Sequence, residues 1–207
     1  MSGMFLDPHK PLVTCSAASC EGCAVSKDLV CHFNRKQLTH FFLIMIPAFL
    51  LGGSAILASG LVQLLIWVGL IVGYFLFLEI RVMCSHCPHY AEKGASLQCW
   101  ANYGAPRLWK YRPGPMSRME TFLFFAGLGP VILYPLTFFI INGMWFSMIL
   151  FAMMITGSYL TMRNLMCNHC MNFACPLNIV GKDVRQKFFD RNPIVAEAWQ
   201  PTIDLSE

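Results

Sequence analysis

The sequence predicts an all-α integral membrane protein, with four transmembrane helices paired as two hairpins and a cysteine-rich cap on one side. Three observations lead there. Hydrophobic residues make up 56% of the chain and charged residues only 13%. Four windows, 39–57, 61–78, 121–141 and 144–162, are free or nearly free of charge and close to the ~20 apolar residues that a bilayer crossing needs. All ten cysteines fall outside those windows. Inside lipid no water satisfies backbone amides, so each window is expected to be helical. Buried helices of a soluble protein would carry a charged face, which these windows lack. The first apolar run lies behind a polar arm, too far from Met1 for a cleaved signal peptide.

Taken in order, the arm (1–37) carries Lys10, Lys27, Arg35 and Lys36, together with Cys15, Cys20, Cys23 and Cys31. A first hairpin (38–83) turns at the uncharged segment 58–60. A central segment (84–118) carries Lys93, Arg107, Lys110, Arg112 and Arg118, with Cys84, Cys87 and Cys99. A second hairpin (119–162) turns at 142–143, again without charge. The tail (163–207) holds Lys182, Arg185, Lys187 and Arg191, with Cys167, Cys170 and Cys175. Basic residues therefore gather on one side. The positive-inside rule places both termini and the central segment in the cytoplasm of a multi-pass inner-membrane protein. The net charge of +4 belongs to that face. No basic stripe is interleaved with aromatics beyond the central segment, so no nucleic-acid partner is expected.

Cytoplasmic thiols are kept reduced, which argues against five structural disulfides and toward metal ligation. The spacing argues the same way. Cys84-Ser85-His86-Cys87 follows the second window and Cys167-Asn168-His169-Cys170 the fourth, with Arg81 and Arg163 upstream and one residue out of register. A recurring pair after each even-numbered span implies an internal duplication of a hairpin-plus-knuckle unit. Related by an axis along the membrane normal, two such units bring Cys84, Cys87, Cys167 and Cys170 toward one focus. Cys99 and Cys175 add a third thiol to each half. In the arm, Cys15, Cys20 and Cys23 show the first spacings of a plant-type [2Fe–2S] ligand set, although the arm is too short for that fold. Four thiolates serve a tetrahedral zinc or an iron–sulfur cluster alike. Inside each pair the histidine is expected to point away from the metal and donate to a backbone carbonyl or thiolate.

Trp100, Tyr103, Trp109 and Tyr111, among basic residues and Pro113-Gly114-Pro115, read as an interfacial anchor that contacts lipid. The less favoured alternative is a small-molecule cleft between this segment and the helix ends, near the kinking Gly129-Pro130 and Pro135. No histidine falls within a span, which disfavours a membrane haem. Acidic groups are absent from mid-span, which disfavours ion-coupled transport. Glu79, near a helix end, is expected to pair with Arg81. The Asp-His-His-Cys core of palmitoyltransferases is absent, and inward-facing pairs do not suit a quinone-linked thiol oxidase that acts on exported proteins.

What remains is an iron–sulfur electron-transfer protein, a redox subunit more readily than a complete enzyme. It would link a soluble cytoplasmic partner, or other subunits, to a membrane acceptor such as quinone. The alternative is a zinc-clamped scaffold without redox chemistry.

Overall fold

A computed structural model describes Asp7, residues 9–200 and the backbone of 201–203. The outermost parts of the predicted arm and tail, 1–6, 8 and 204–207, lie outside the described residues. Those described form helices, short 3₁₀ turns and loops, with no strands and only the isolated bridges Val30–Cys170 and Ser96–Pro106.

Four helical stretches are long and apolar enough to cross a membrane, the composition of a multi-pass membrane protein. They are α1 (Arg35–Ser59), the stretch Leu61–His86 that begins with α2 (Leu61–Val72), α4 (Arg118–Ile141) and the stretch Trp145–His169 that begins with α5 (Trp145–Leu165). Helix α2 runs on through a π-helical segment, Gly73–Leu78, into the short α3 (Glu79–Val82). Helices α1 and α4 begin several residues before their hydropathy windows. Asn34 caps α1 by accepting from Lys36 N–H at 2.9 Å. Ser117 and Glu120 form a capping box on α4. Caps satisfy the orphan amides of a first turn, so a helix extends into polar sequence that hydropathy alone scores as loop.

Packing puts α1 against α5, α4 and α2, with α4 bridging α2 and α5. Close approach needs glycine at two places. A Cβ at Gly52 would sit 3.1–3.2 Å from Phe151 and Pro135. A Cβ at Gly127 would fall 2.8 Å from Tyr74 and nearer still to Leu78. A proline within a helix leaves the carbonyl four residues earlier without its amide donor. Pro135 has no N–H for Val131 O four residues earlier, and the indole of Trp67 donates to that oxygen instead at 2.8 Å. Elsewhere Ser158 of α5 donates to Ile44 O of α1 at 2.9 Å, a side-chain bond between the two helices. At the far end Asn142 donates to Ala55 O at 3.0 Å and to Ser59 Oγ at 2.9 Å, which joins the two uncharged turns.

The opposite end is capped by two cores. In one, Tyr90, Leu97 and Ala105 of the central segment pack on Ile80, Val82 and Phe124. In the other, Leu12, Val25 and Leu29 of the arm pack on Met171, Phe173 and Val180 of the tail. The tail also forms α6 (Lys182–Phe189) and α7 (Pro193–Ile203), and Phe188, Phe189 and Val195 join that core. The described residues of the arm are thus part of the cap.

Two expectations need correction. Trp100 is only 8% exposed and packs edge-on against Phe41 of α1, so it closes the helix ends and is no interfacial anchor. Tyr90 Oη accepts from Trp109 N–H at 2.9 Å, folding the aromatic segment inward. Nor does Glu79 pair with Arg81. It is buried, and its carboxyl hydrogen-bonds to the Asn102 side chain. The segment 84–118 must cover the ends of α1–α4, and the largest side chains available for that are its aromatics.

Candidate metal centre

The two cysteine knuckles have the same backbone. Each long helix ends on a methionine, Met83 at φ −120°, ψ −55° and Met166 at φ −124°, ψ −48°. One 3₁₀ turn follows, Cys84–His86 or Cys167–His169. The second cysteine then returns to extended backbone, Cys87 at φ −74°, ψ 137° and Cys170 at φ −86°, ψ 127°. The sequence repeat is therefore a structural repeat.

The histidines repeat as well. His86 Nδ1 lies 3.1 Å from Gly114 O and His169 Nδ1 2.8 Å from Asp28 O. A carbonyl oxygen only accepts, so Nδ1 carries the proton in both rings. Each histidine therefore ties its knuckle to a distant loop, the central segment in one case and the arm in the other. The first knuckle is further braced by Arg112, which donates to Arg81 O at 2.8 Å and Ser85 Oγ at 3.1 Å while pairing with Glu120 at 2.7 Å. The second receives Val30 N–H on His169 O at 2.9 Å, and Asn178 donates to Cys170 O at 2.6 Å. Asn172 reaches across the halves to Met83 O at 3.5 Å.

All ten cysteines are free thiols, and they fall into two groups. Cys84, Cys87, Cys99, Cys167, Cys170 and Cys175 line one cavity of about 550 Å³. Cys84, Cys87, Cys167 and Cys170 thus border one space, with one further thiol from each half. Burial pushes the Cys87 thiol well up, and the charge of Cys170 from the other half is the next cause. Burial likewise raises Cys99 and Cys170, and lifts Cys175 to about 12. Such thiols stay protonated near neutral pH unless a cation compensates them.

Asn102 serves three of these groups. Its backbone N–H donates to Cys99 Sγ at 3.2 Å, and its side-chain amide donates to Cys84 Sγ at 3.2 Å and bonds Glu79. N–H donors on sulfur are the outer-shell feature that orients thiolate ligands and tunes a bound metal. Tyr74, Asn102 and Asn172, which the sequence did not single out for this site, line the cavity together with Glu79. The one available signal was the spacing of Asn102 and Asn172 just behind a cysteine.

Cys15, Cys20, Cys23 and Cys31 form the second group, in the arm. The Cys31 thiol is raised to about 12 by burial first, then by Cys23, Cys20 and Cys15. Cys20 Sγ lies 3.9 Å from His32 Nε2, which donates to Lys10 O at 2.8 Å. The arm is pinned to the tail by Ser16 N–H on Arg191 O at 2.8 Å and by Thr14 Oγ1 on Asn192 Oδ1 at 2.9 Å. Cys31 follows Val30, which lines the six-thiol cavity, so the two groups are neighbours along the chain. Among the described residues, no three histidine, cysteine or acidic side chains converge as they stand on a single-ion position.

Fold and site together define a class: a helical protein with four stretches long and apolar enough to span a membrane, whose two similar knuckles border a thiol-lined cavity. No protein-family model, no curated protein sequence and no solved structure matches the chain.

Proposed function

We propose that this protein is an iron–sulfur electron carrier of the inner membrane, with its two helical hairpins spanning the bilayer and both termini and the cap in the cytoplasm. Electrons from a soluble cytoplasmic partner would enter at the arm and leave to a membrane acceptor such as quinone. One observation carries the reading: six thiols from both halves line a single cavity that continues among the apolar helices.

The donor set fits such a group. Cys84, Cys87, Cys167 and Cys170, with Cys99 and Cys175 lining the same cavity, would hold it, and Asn102 supplies N–H groups to two of the sulfurs. When bound, an iron–sulfur cluster takes up and gives back one electron at a time. The chain's own part is to hold the thiols in place, through the Arg112 brace and the two histidine ties, and to keep water from them. The arm thiols would form a second, outer centre, exposed enough to meet a soluble partner. A zinc-clamped scaffold remains the second reading, because thiolates serve both metals.

Anaerobically purified protein decides between them. Iron, acid-labile sulfide and a reducible electron paramagnetic resonance signal are expected, with Cys87→Ser plus Cys170→Ser removing the inner part of the spectrum. Colourless protein carrying stoichiometric zinc, or a spectrum indifferent to both substitutions, overturns the reading.

A further inference from the structure

The six-thiol cavity is far larger than its thiol end. It extends past the knuckles between the long helices, where its lining is almost entirely apolar and largely aromatic, including Phe49, Trp67, Phe124 and Phe151. Phe49 and Trp67 stack at 5.6 Å between centroids and 26° between planes, so one wall is flat. Phe42 and Ile46 of α1 line the cavity and are still 48% and 46% exposed, so it opens on the outer surface of the bundle.

Between these apolar walls and the thiols lie polar atoms without partners. Tyr74 is 4% exposed and Glu79 8% exposed, yet Tyr74 Oη and Glu79 Oε2 have no hydrogen bond within the protein. Burying such atoms unpaired is costly, and a native site does so where a ligand completes them. The backbone arranges the pair deliberately. Residues five apart on an α-helix point to different sides, at 3.6 residues per turn. Here the π-helical turn closes Glu79 N–H onto Tyr74 O, an i→i+5 bond that brings both residues onto the cavity side.

We propose that this cavity binds an isoprenoid quinone, its ring held at Tyr74 and Glu79 and its tail leaving past Phe42 and Ile46 into lipid. Tyr74 Oη donates to a quinone carbonyl, and Glu79 Oε2 accepts from the hydroxyl of the reduced ring. The aromatic walls fit a flat ring, and about 550 Å³ is within the usual range for a ligand site. A lipid acyl chain would fill the apolar part alone and leave both oxygens unpaired. The thiols border the same space, so a ring held there lies beside the inner centre. The proposal rests on the electron-transfer reading and names its membrane partner.

The intact protein in phosphatidylcholine nanodiscs is titrated calorimetrically with decylubiquinone, decylubiquinol and decanol. Saturable one-to-one binding of both ring forms is expected, with none for decanol. Tyr74→Phe weakens decylubiquinone about five-fold, the loss of one ordinary hydrogen bond. Glu79→Gln keeps the shape of the side chain and weakens the quinol more than the quinone, a selectivity that a merely structural role would not produce. Decanol competing as well as the quinone, variants binding like the parent protein, or no saturable binding each overturn the site. Quinone binding by protein that carries no iron keeps this site and removes the electron-transfer reading. Iron-bearing protein without quinone binding does the reverse.

Discussion

Trp67→Phe tests whether the bundle depends on repairing its proline breaks. Trp67 is buried, and its indole N–H donates at 2.8 Å to Val131 O, a carbonyl that Pro135 deprives of its helical partner. Phenylalanine keeps the stack on Phe49 and removes the donor. A lost hydrogen bond that leaves a buried acceptor unpaired costs about 1–3 kcal/mol in water-soluble proteins. Measured values between membrane helices average about 0.6 and reach about 1.7 kcal/mol. With the smaller ring's lost packing, we expect about 2 kcal/mol from Trp67→Phe. Pro135→Ala returns an amide to position 135, and Val131 O then regains its partner inside α4. In that background the indole is partly redundant, so Trp67→Phe should cost about 1 kcal/mol less than it does alone. Equilibrium unfolding in mild detergent, run as a double-mutant cycle, measures the difference. Costs that add within about 0.5 kcal/mol would refute the reasoning, since sites that share no partner behave that way.

Three further outcomes follow from the geometry. Gly127→Val forces a side chain into Tyr74 and Leu78, and should lower the thermal midpoint strongly, whereas the same change at Gly129, which faces open space, should act only through helix propensity; equal midpoints for the two would contradict the packing. Cys23→Ser should alter the arm centre and leave the signals of the inner centre in place, because the arm thiols form a separate group; loss of both sets of signals would mean a single shared centre. Chelated protein should lose stability as the pH rises. Cys31 and Cys175 titrate near 9.0 when unfolded and at about 12 when folded, so the folded state holds their protons longer. Their contribution is intact below pH 9 and declines toward pH 12, and thermal melts across that window should show the fall in chelated protein alone.

Much of this protein was legible because its signals are local. Windows of uncharged sequence located the four long helices to within several residues. The errors were at helix starts, where Asn34 and the Ser117–Glu120 box carry the helix into polar sequence, and at the ends of the second and fourth helices, which run on to Val82 and Leu165. The C-x-H-C repeat was visible as a spacing, and the two knuckles adopt one backbone. Their histidines turn away from the cysteines toward carbonyls. The reading of Trp100 as a lipid anchor followed from residue type alone, and type does not say which surface a ring covers. Glu79 was assigned to Arg81 by proximity in sequence, whereas its partner Asn102 is more than twenty positions away.

By itself, then, the sequence determined the helical spans, the side that carries the charge and the grouping of cysteines at helix ends. Each depends on composition or on neighbours a few residues apart, and burial of apolar surface enforces each of them wherever the helices come to lie. The tertiary structure alone decided that six thiols share a cavity with Tyr74, Glu79 and Asn102, and that the arm packs on the tail. Those juxtapositions depend on how α1, α2, α4 and α5 lean on one another. That in turn is set by the absent side chains at Gly52 and Gly127, by a π-helical turn, and by an indole donating to a carbonyl that a proline on another helix has freed.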